Sequence, residues 1–180
     1  MEGKKREREI EGLVVQPSFI TPEEETALLA HIDGSEWNTS LKRRTQHYGY
    51  TYDYKEKDAA KPATPIPEWC TSIIDRLSLR PDQLIINEYL PGQGIAPHID
   101  STASFADGIV SISLGSNIYI DFIHQDTGEK REEMLPRRSM LSLHGCARYE
   151  WKHGIASRKS DHGVKRKRRV SLTFRKTHGK

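Results

Sequence analysis

The tripeptide His-Ile-Asp occurs twice in the 180-residue chain, in LLAHIDGS at 31–33 and in APHIDST at 98–100. An imidazole and a carboxylate two residues apart can hold one metal ion only if the backbone turns both to the same side. On a helix such residues point about 200° apart, whereas on a strand they share a face. Residues 22–33 read as a helix: Thr21 as N-cap, Pro22 at the first helical position, Glu24 completing a capping box and Gly34 as the stop. Ala27, Leu28, Leu29 and Ile32 recur there at helical spacing. His31 and Asp33 therefore read as helix-exit chemistry, with His31 suited to the negative end of the helix dipole. His98 and Asp100 follow the turn-rich YLPGQGIAP and read as extended, which makes them a candidate ligand pair.

A third ligand is available in His153 of YEWKHGI. Two histidines and one carboxylate make the facial triad of non-haem Fe(II) oxygenases, which leaves three coordination positions open for a co-substrate and O2. The closing segment RVSLTFR puts Arg169, Ser171, Thr173 and Arg175 on one strand face and Val170, Leu172 and Phe174 on the other. Arginines and hydroxyls inside a small β-structure are costly unless an anion sits among them, and an arginine can hold a carboxylate bidentately. On these residues alone, a surface strand with solvated arginines is the commoner reading. So is a packed or surface role for His153.

The elements that must position these groups change character along the chain. GLVVQPSFI reads as a short strand, and a second helix is expected in PEWCTSIIDRLS (67–78). From residue 84 onward LIINEYL, GIVSISLGS, NIYIDFI, SMLSLHG, RYEWKHGI and RVSLTFRK are short alternating or β-branched runs separated by Gly, Pro and Asp. Helices first and strands later predict an α+β class, with helices outside a β-sandwich or barrel. The length suits one domain, expected over 11–180 after a basic, disordered leader at 1–10.

The two cysteines, Cys70 and Cys146, form no CxxC pattern, so neither a disulfide framework nor a cysteine zinc site is expected. MEGKKRERE is too charged for a signal peptide, and no apolar run approaches 18 residues. These features predict a soluble intracellular protein, cytoplasmic and/or nuclear, that engages no membrane. The net charge of +3 is concentrated in KKRER, LKRR (42–44) and KRKRR (165–169). Such runs suit phosphate backbones or localisation signals as well as they suit solvated surface charge.

Taken together the blocks resemble the AlkB family of Fe(II)/2-oxoglutarate dioxygenases. The resemblance spans roughly residues 40–176. It rests on NEYLPGQGIAPHID, the serine-rich GIVSISLGS, LPRRSML, YEWKHGI and the closing RRVSLTFRK, in that order. It implies a double-stranded β-helix (jelly roll) core buttressed by the N-terminal helices. It implies that His98, Asp100 and His153 bind iron and that Asn87, Tyr89 and Ser111 belong to the 2-oxoglutarate site. Arg169 would pair with the distal carboxylate of the keto acid, and Arg175 would lie near its other end. The activity implied is oxidation of a substrate C–H bond by O2, coupled to decarboxylation of 2-oxoglutarate to succinate and CO2. On a carbon attached to a ring nitrogen, the product collapses with release of formaldehyde.

The resemblance also implies a nucleic-acid substrate. LKRRTQHYGYTYDY (41–54) falls where the family has its nucleotide-recognition lid, so Arg43 and Arg44 are candidates for phosphate. Tyr48, Tyr50 and Tyr52 are candidates for stacking on a base, and an aromatic face packed on the core is the alternative. Repair demethylases of the family carry an acidic residue soon after the His-x-Asp pair; here STASF follows, with no carboxylate until Asp107. The blocks are most similar to the branch that hydroxylates a wobble-uridine side chain of tRNA, so RNA is expected ahead of DNA and hydroxylation ahead of demethylation. A separate RNA-binding or methyltransferase protein is an expected partner of a monomeric oxygenase. The rival readings are a non-catalytic nucleic-acid binder on the same scaffold and a zinc hydrolase, which has no use for Arg169.

Overall fold

A computed structural model describes residues 9–178. Leu13–Gln16 (β1) is followed by the helix Pro22–Asp33 (α1), then Thr45–Tyr48 (β2) and a hairpin of Tyr50–Asp53 (β3) with Asp58–Pro62 (β4). A 3-10 turn at Glu68–Cys70 runs into a single helical turn, Thr71–Ile74 (α2). Next come Gln83–Tyr89 (β5), Ile95–His98 (β6), Ile109–Leu114 (β7), Ile118–His124 (β8), Lys130–Leu135 (β9) and Met140–Leu143 (β10). After the short helix Gly145–Tyr149 (α3) follow Trp151–Ile155 (β11), Ser160–Asp161 (β12), Val164–Lys165 (β13) and Arg169–Arg175 (β14).

Two antiparallel sheets form a jelly roll: six strands in the order β1-β10-β7-β14-β5-β2 face four in the order β6-β11-β8-β9. The larger sheet shows why strict alternation matters. Its outward residues Leu84, Ile86, Val110, Ile112, Leu114, Val170, Leu172 and Phe174 are buried beneath Leu28 and Ile32 of α1. Each fully buried aliphatic or aromatic side chain there contributes roughly 1.5–3 kcal/mol. The inward side holds the second core, where Tyr89, Ile109, Leu141 and Leu143 meet Ile118, Ile120, Phe122, Trp151 and Ile155 of the smaller sheet.

The helix α1 forms as its sequence predicts. The Thr21 hydroxyl accepts from the Glu24 N–H, and Glu24 answers to the Thr21 N–H, both at 3.1 Å. Glu25, buried on the inner side of the helix, accepts from the Gly115 N–H at 2.9 Å and from Arg137 at 2.8 Å, which pins α1 to the large sheet. The expected helix at 67–78 is shorter, and only residues 68–74 are helical. Beyond Asp75 the backbone bonds are of the i→i+3 kind, Arg76 to Ile73 and Leu77 to Ile74, and the Arg76 guanidinium takes the Ser72 carbonyl at 3.1 Å. The apolar positions Ile73 and Leu77 still reach the core, so the burial pattern holds although the α-helix does not.

The basic leader expected at 1–10 lies outside the described residues as far as residue 8. Ile10, placed at its end, is 7% exposed and packs in the inner core. Among the described residues, no helix is long and apolar enough to cross a membrane.

Candidate active site

β6 carries the second His-Ile-Asp to the site. It is an edge strand of the small sheet, which is why Pro97 fits within it without removing a ladder bond. On the neighbouring β11, Gly154 permits the close approach, because a Cβ there would lie 2.8 Å from the Pro97 nitrogen and 2.9 Å from the Ile95 carbonyl oxygen. The pairing sets His153 directly opposite His98, with ring centroids 4.5 Å apart.

His98 Nε2 lies 3.1 Å and His153 Nε2 3.5 Å from Asp100 Oδ1. Two ligands at about 2.1 Å from one ion and at right angles lie about 3 Å apart, so these three atoms can share one face of an octahedral ion. His98 Nδ1 donates to the Ala96 carbonyl at 2.8 Å, which turns Nε2 toward Asp100 and the metal position. Asp100 is buried, and its second oxygen, Oδ2, accepts from Arg175 Nε at 2.7 Å. Burial would raise the Asp100 carboxyl, but the Arg175 charge and the hydrogen bond to His98 hold it well below the usual range. Burial pushes His153 down to about 4, so it is neutral and ready to ligate at neutral pH.

Behind the triad a cavity runs between the sheets, lined by Asn87, Tyr89, Ser111, His98, Asp100, His153, Arg169, Ser171, Thr173 and Arg175 among others. β14 is a central strand, so the polar face predicted for RVSLTFR points inward and the surface-strand alternative is excluded. Register does the assembling: Arg169 pairs with Tyr89, Ser171 with Asn87 and Ser113, and Thr173 with Ser111. Arg169 is 3% exposed and donates to the Ser113 hydroxyl at 2.9 Å, with its guanidinium carbon 5.4 Å from the Tyr89 ring centre. Among the described residues it has no carboxylate partner, and burial pushes it down to about 10. A buried cation without a counter-ion is costly, so the cavity is built for an anion. Asn87 Oδ1 accepts from Arg43 Nε at 2.9 Å, which leaves the amide N–H groups free to donate.

His98 and Asp100 also line an outer cleft, together with Arg43, Tyr52, Tyr54, Lys57, Phe105 and Tyr149. Not all of the residues expected in a nucleotide lid reach it. Tyr48 instead belongs to the outer core, with its hydroxyl donating to Gln46 at 2.8 Å. The alternation breaks at Gly49, whose φ of +79° and 1.9 Å virtual Cβ contact with the Asp82 carbonyl require glycine. Tyr50 lines neither cavity, whereas Tyr52 packs edge-on against Tyr54 at 5.2 Å. Arg44 is taken by Glu88 at 2.8 Å and stacks on Trp37, away from the cleft.

Four cleft residues had no sequence signal or a masked one. Tyr54 continues the alternation of Tyr48, Tyr50 and Tyr52 just past the end of β3, and Lys57, Phe105 and Tyr149 arrive from three separate loops or helix ends. Arg148, fully buried on α3, donates to the carbonyls of Asp100, Ser101 and Phe105 and so holds the loop that carries the carboxylate. The KRKRR run likewise divides. Arg166 is buried on Asp161 at 2.7 Å, Arg168 bonds Glu88 and Asp33, Arg169 enters the cavity, and only Lys165 and Lys167 are exposed.

A jelly roll with a His-x-Asp…His cluster at its mouth and a buried arginine in its interior defines a non-haem iron oxygenase that uses a keto acid. The chain belongs to the 2OG-Fe(II) oxygenase superfamily, whose family model matches residues 31–175. It is 42% identical to a tRNA (carboxymethyluridine(34)-5-O)-methyltransferase alkbh8 of Xenopus tropicalis over 163 residues, 83% of this chain but 26% of that protein. The chain thus spans about a quarter of the length of that relative. It is also 34% identical to protein L905 of Acanthamoeba polyphaga mimivirus, covering 95% of this chain and 87% of that one. The solved structure of OsALKBH1 superposes with a TM-score of 0.70 over 92% of this chain and 98% of that one, at 19% identity, which shows the shared fold.

Proposed function

We propose that the protein hydroxylates a side chain on a modified uridine of RNA, tRNA being the favoured substrate. When bound at His98, Asp100 and His153, Fe(II) with 2-oxoglutarate and O2 supplies the oxidising chemistry for a C–H bond. The chain's own residues prepare the site. Arg175 occupies one Asp100 oxygen and leaves the other for the metal. Arg169 and Ser113 offer a charged, hydrogen-bonding end for the distal carboxylate of the keto acid, and Asn87 is oriented by Arg43 to donate toward it. Tyr52, Tyr54 and Phe105 form an aromatic wall against which a base can stack, with Arg43 and Lys57 near enough for phosphate.

The observation that carries the choice of base is the lining of the cleft. Among the described residues its only carboxylate is Asp100, which is committed to Arg175 and to the metal position. Asp107, the first acid after the pair, caps the N–H groups of Gly108 and Gly145 at 2.9 and 3.1 Å. No carboxylate there is free to accept from the exocyclic amino group of adenine or cytosine, and a uracil ring has no such group. The Xenopus relative is named for action on a carboxymethyluridine of tRNA, which supports the same base.

The test is incubation of the purified protein with Fe(II), 2-oxoglutarate and total tRNA, followed by nucleoside mass spectrometry. A modified uridine heavier by one oxygen is expected, with succinate formed in step. Loss of methyladenosine or methylcytidine with formaldehyde release would overturn the reading in favour of demethylation.

A further inference from the structure

At the opposite end of β14 from Asp100 the surface carries a second groove, separate from the catalytic cavity and its cleft. One wall is the turn after β7, with Gly115, Ser116 and Tyr119; the other is the β12–β13 hairpin and the KRKRR segment. Arg169 and Arg175 bracket β14, a strand about 20 Å long, so the groove and the Asp100 carboxylate lie toward its opposite ends. Gly115 abuts the Arg168 carbonyl, which fixes the groove at the Arg169 end.

The hairpin wall is rigidly built. His162 and Gly163 both have positive φ, 48° and 80°, the pattern of a tight type I′ turn, and a left-handed histidine is uncommon. His162 is held there by Glu132 at 2.6 Å and by a tilted ring contact with Tyr119, centroids 4.6 Å apart. Asp161, the only acid lining the groove among the described residues, is taken by Arg158 at 2.6 Å and by the buried Arg166 at 2.7 Å. Arg137 on the far wall is shared with Glu25. Lys165 and Lys167 remain, both exposed and without an ion-pair partner among the described residues. Alternation within KRKRR thus sends arginines inward as framework and lysines outward as free charge.

We propose that this groove binds a backbone phosphate of the RNA substrate remote from the reacting base, so that the protein selects a folded RNA over a short oligonucleotide. The inference rests on the RNA reading above. A cationic concavity with its acid neutralised suits a phosphodiester, and Lys165 and Lys167 supply two contacts.

The test compares wild type with the Lys165→Ala/Lys167→Ala double variant for binding of tRNA and of a six-nucleotide RNA across a salt series. For tRNA, affinity should fall about tenfold or more at low salt, and the slope of log affinity against log salt should drop by about 1.5. The six-nucleotide RNA should bind both proteins equally. Melting temperature and RNA-independent 2-oxoglutarate turnover should be unchanged, because neither lysine touches the core or the catalytic cavity. Equal tRNA affinity and slope in the two proteins would overturn the groove while leaving the RNA reading intact. An equal loss for the short RNA would overturn the remote placement. A wild type that neither binds nor oxidises RNA would instead bring down the underlying reading. Salt-sensitive capture of polyglutamate, abolished in the double variant while tRNA binding persists, would reassign the groove to an acidic protein.

Discussion

At 31–33 the His-Ile-Asp sequence closes a helix. His31 lies flat against Trp69 with ring centroids 5.4 Å apart, and Asp33 reaches outward to Arg168 at 2.7 Å. At 98–100 the same letters end an edge strand, and both side chains converge with His153 within hydrogen-bonding range. The difference lies in backbone period and in what stands behind the carboxylate. Asp100 is backed by Arg175 and by Arg148 through its carbonyl, whereas Asp33 is half exposed to water. A short motif therefore acquires chemistry from the strand that extends it and from charges remote in sequence.

The largest effect that can break this comparison is on turnover. His98→Ala should lower RNA-independent 2-oxoglutarate turnover about a thousandfold or more, since even indirect neighbours of a metal ligand cost about 10–100-fold. It should also abolish Mn(II) binding measured by calorimetry. His31→Ala, which removes only a stacking contact, should leave turnover within about twofold. Comparable losses in the two variants would show that the two tripeptides are not functionally distinct.

Next in size is Arg169→Met. Hydrogen bonds to a charged group are worth about 1.5–3 kcal/mol, so the KM for 2-oxoglutarate should rise about 10–100-fold with a smaller change in kcat. The melting temperature should hold or rise, because Arg169 has no carboxylate partner among the described residues and its charge is buried at a cost. A variant that melts earlier with KM unchanged would make Arg169 a structural residue and remove the anion site.

The strands and the inward polar face of β14 were legible because a period of two leaves one solution once the strand is central. The triad was legible for the same reason: His98 and Asp100 converge only on extended backbone. What stayed hidden depends on contacts far apart in the chain. The destinations of Arg166 and Arg168 are set by Asp161, Glu88 and Asp33, and no local pattern announces them. Arg148 is held by three carbonyls of the 100–105 loop, a bond type that leaves no mark on residue identity. Tyr48, Tyr50 and Tyr52 share one face only on a continuous strand, and Gly49 at positive φ breaks that strand between Tyr48 and Tyr50. The helix at 67–78 was overextended because Ile73 and Leu77 keep helical spacing through a tighter turn.

The other end of α1 sharpens the comparison through stability. Burial alone would raise the Glu25 carboxyl, but the bonds from Arg137 and the Gly115 N–H, with the charges of Arg137 and Arg138, hold it below its usual range. Its folded value lies under the unfolded value of about 4.3, so its contribution is complete above that pH and is lost as pH falls through the lowered folded value. Glu25→Ala should cost about 1–3 kcal/mol in denaturant unfolding at pH 7. The difference from wild type should narrow as pH falls below about 4.3. An undiminished difference at low pH would mean that the loss is one of packing rather than of charge.

The smallest effect is expected at Asp33 itself. Arg168 keeps a second partner in Glu88, 2.8 Å from its Nε and almost wholly buried, so removing Asp33 strands no buried charge. Both members of the Asp33–Arg168 pair are a third to a half exposed, where solvent and salt screen the attraction. Asp33→Ala should therefore change stability by less than about 1 kcal/mol and should approach zero in 1 M salt. Glu88→Ala, by contrast, would release both Arg44 and Arg168 at once and should cost more at every salt concentration. If Asp33→Ala lost as much as Glu88→Ala and kept that loss in high salt, the exposed tripeptide would be a structural anchor in its own right. The contrast with 98–100 would then be one of kind of role, catalytic against structural, rather than of role against none.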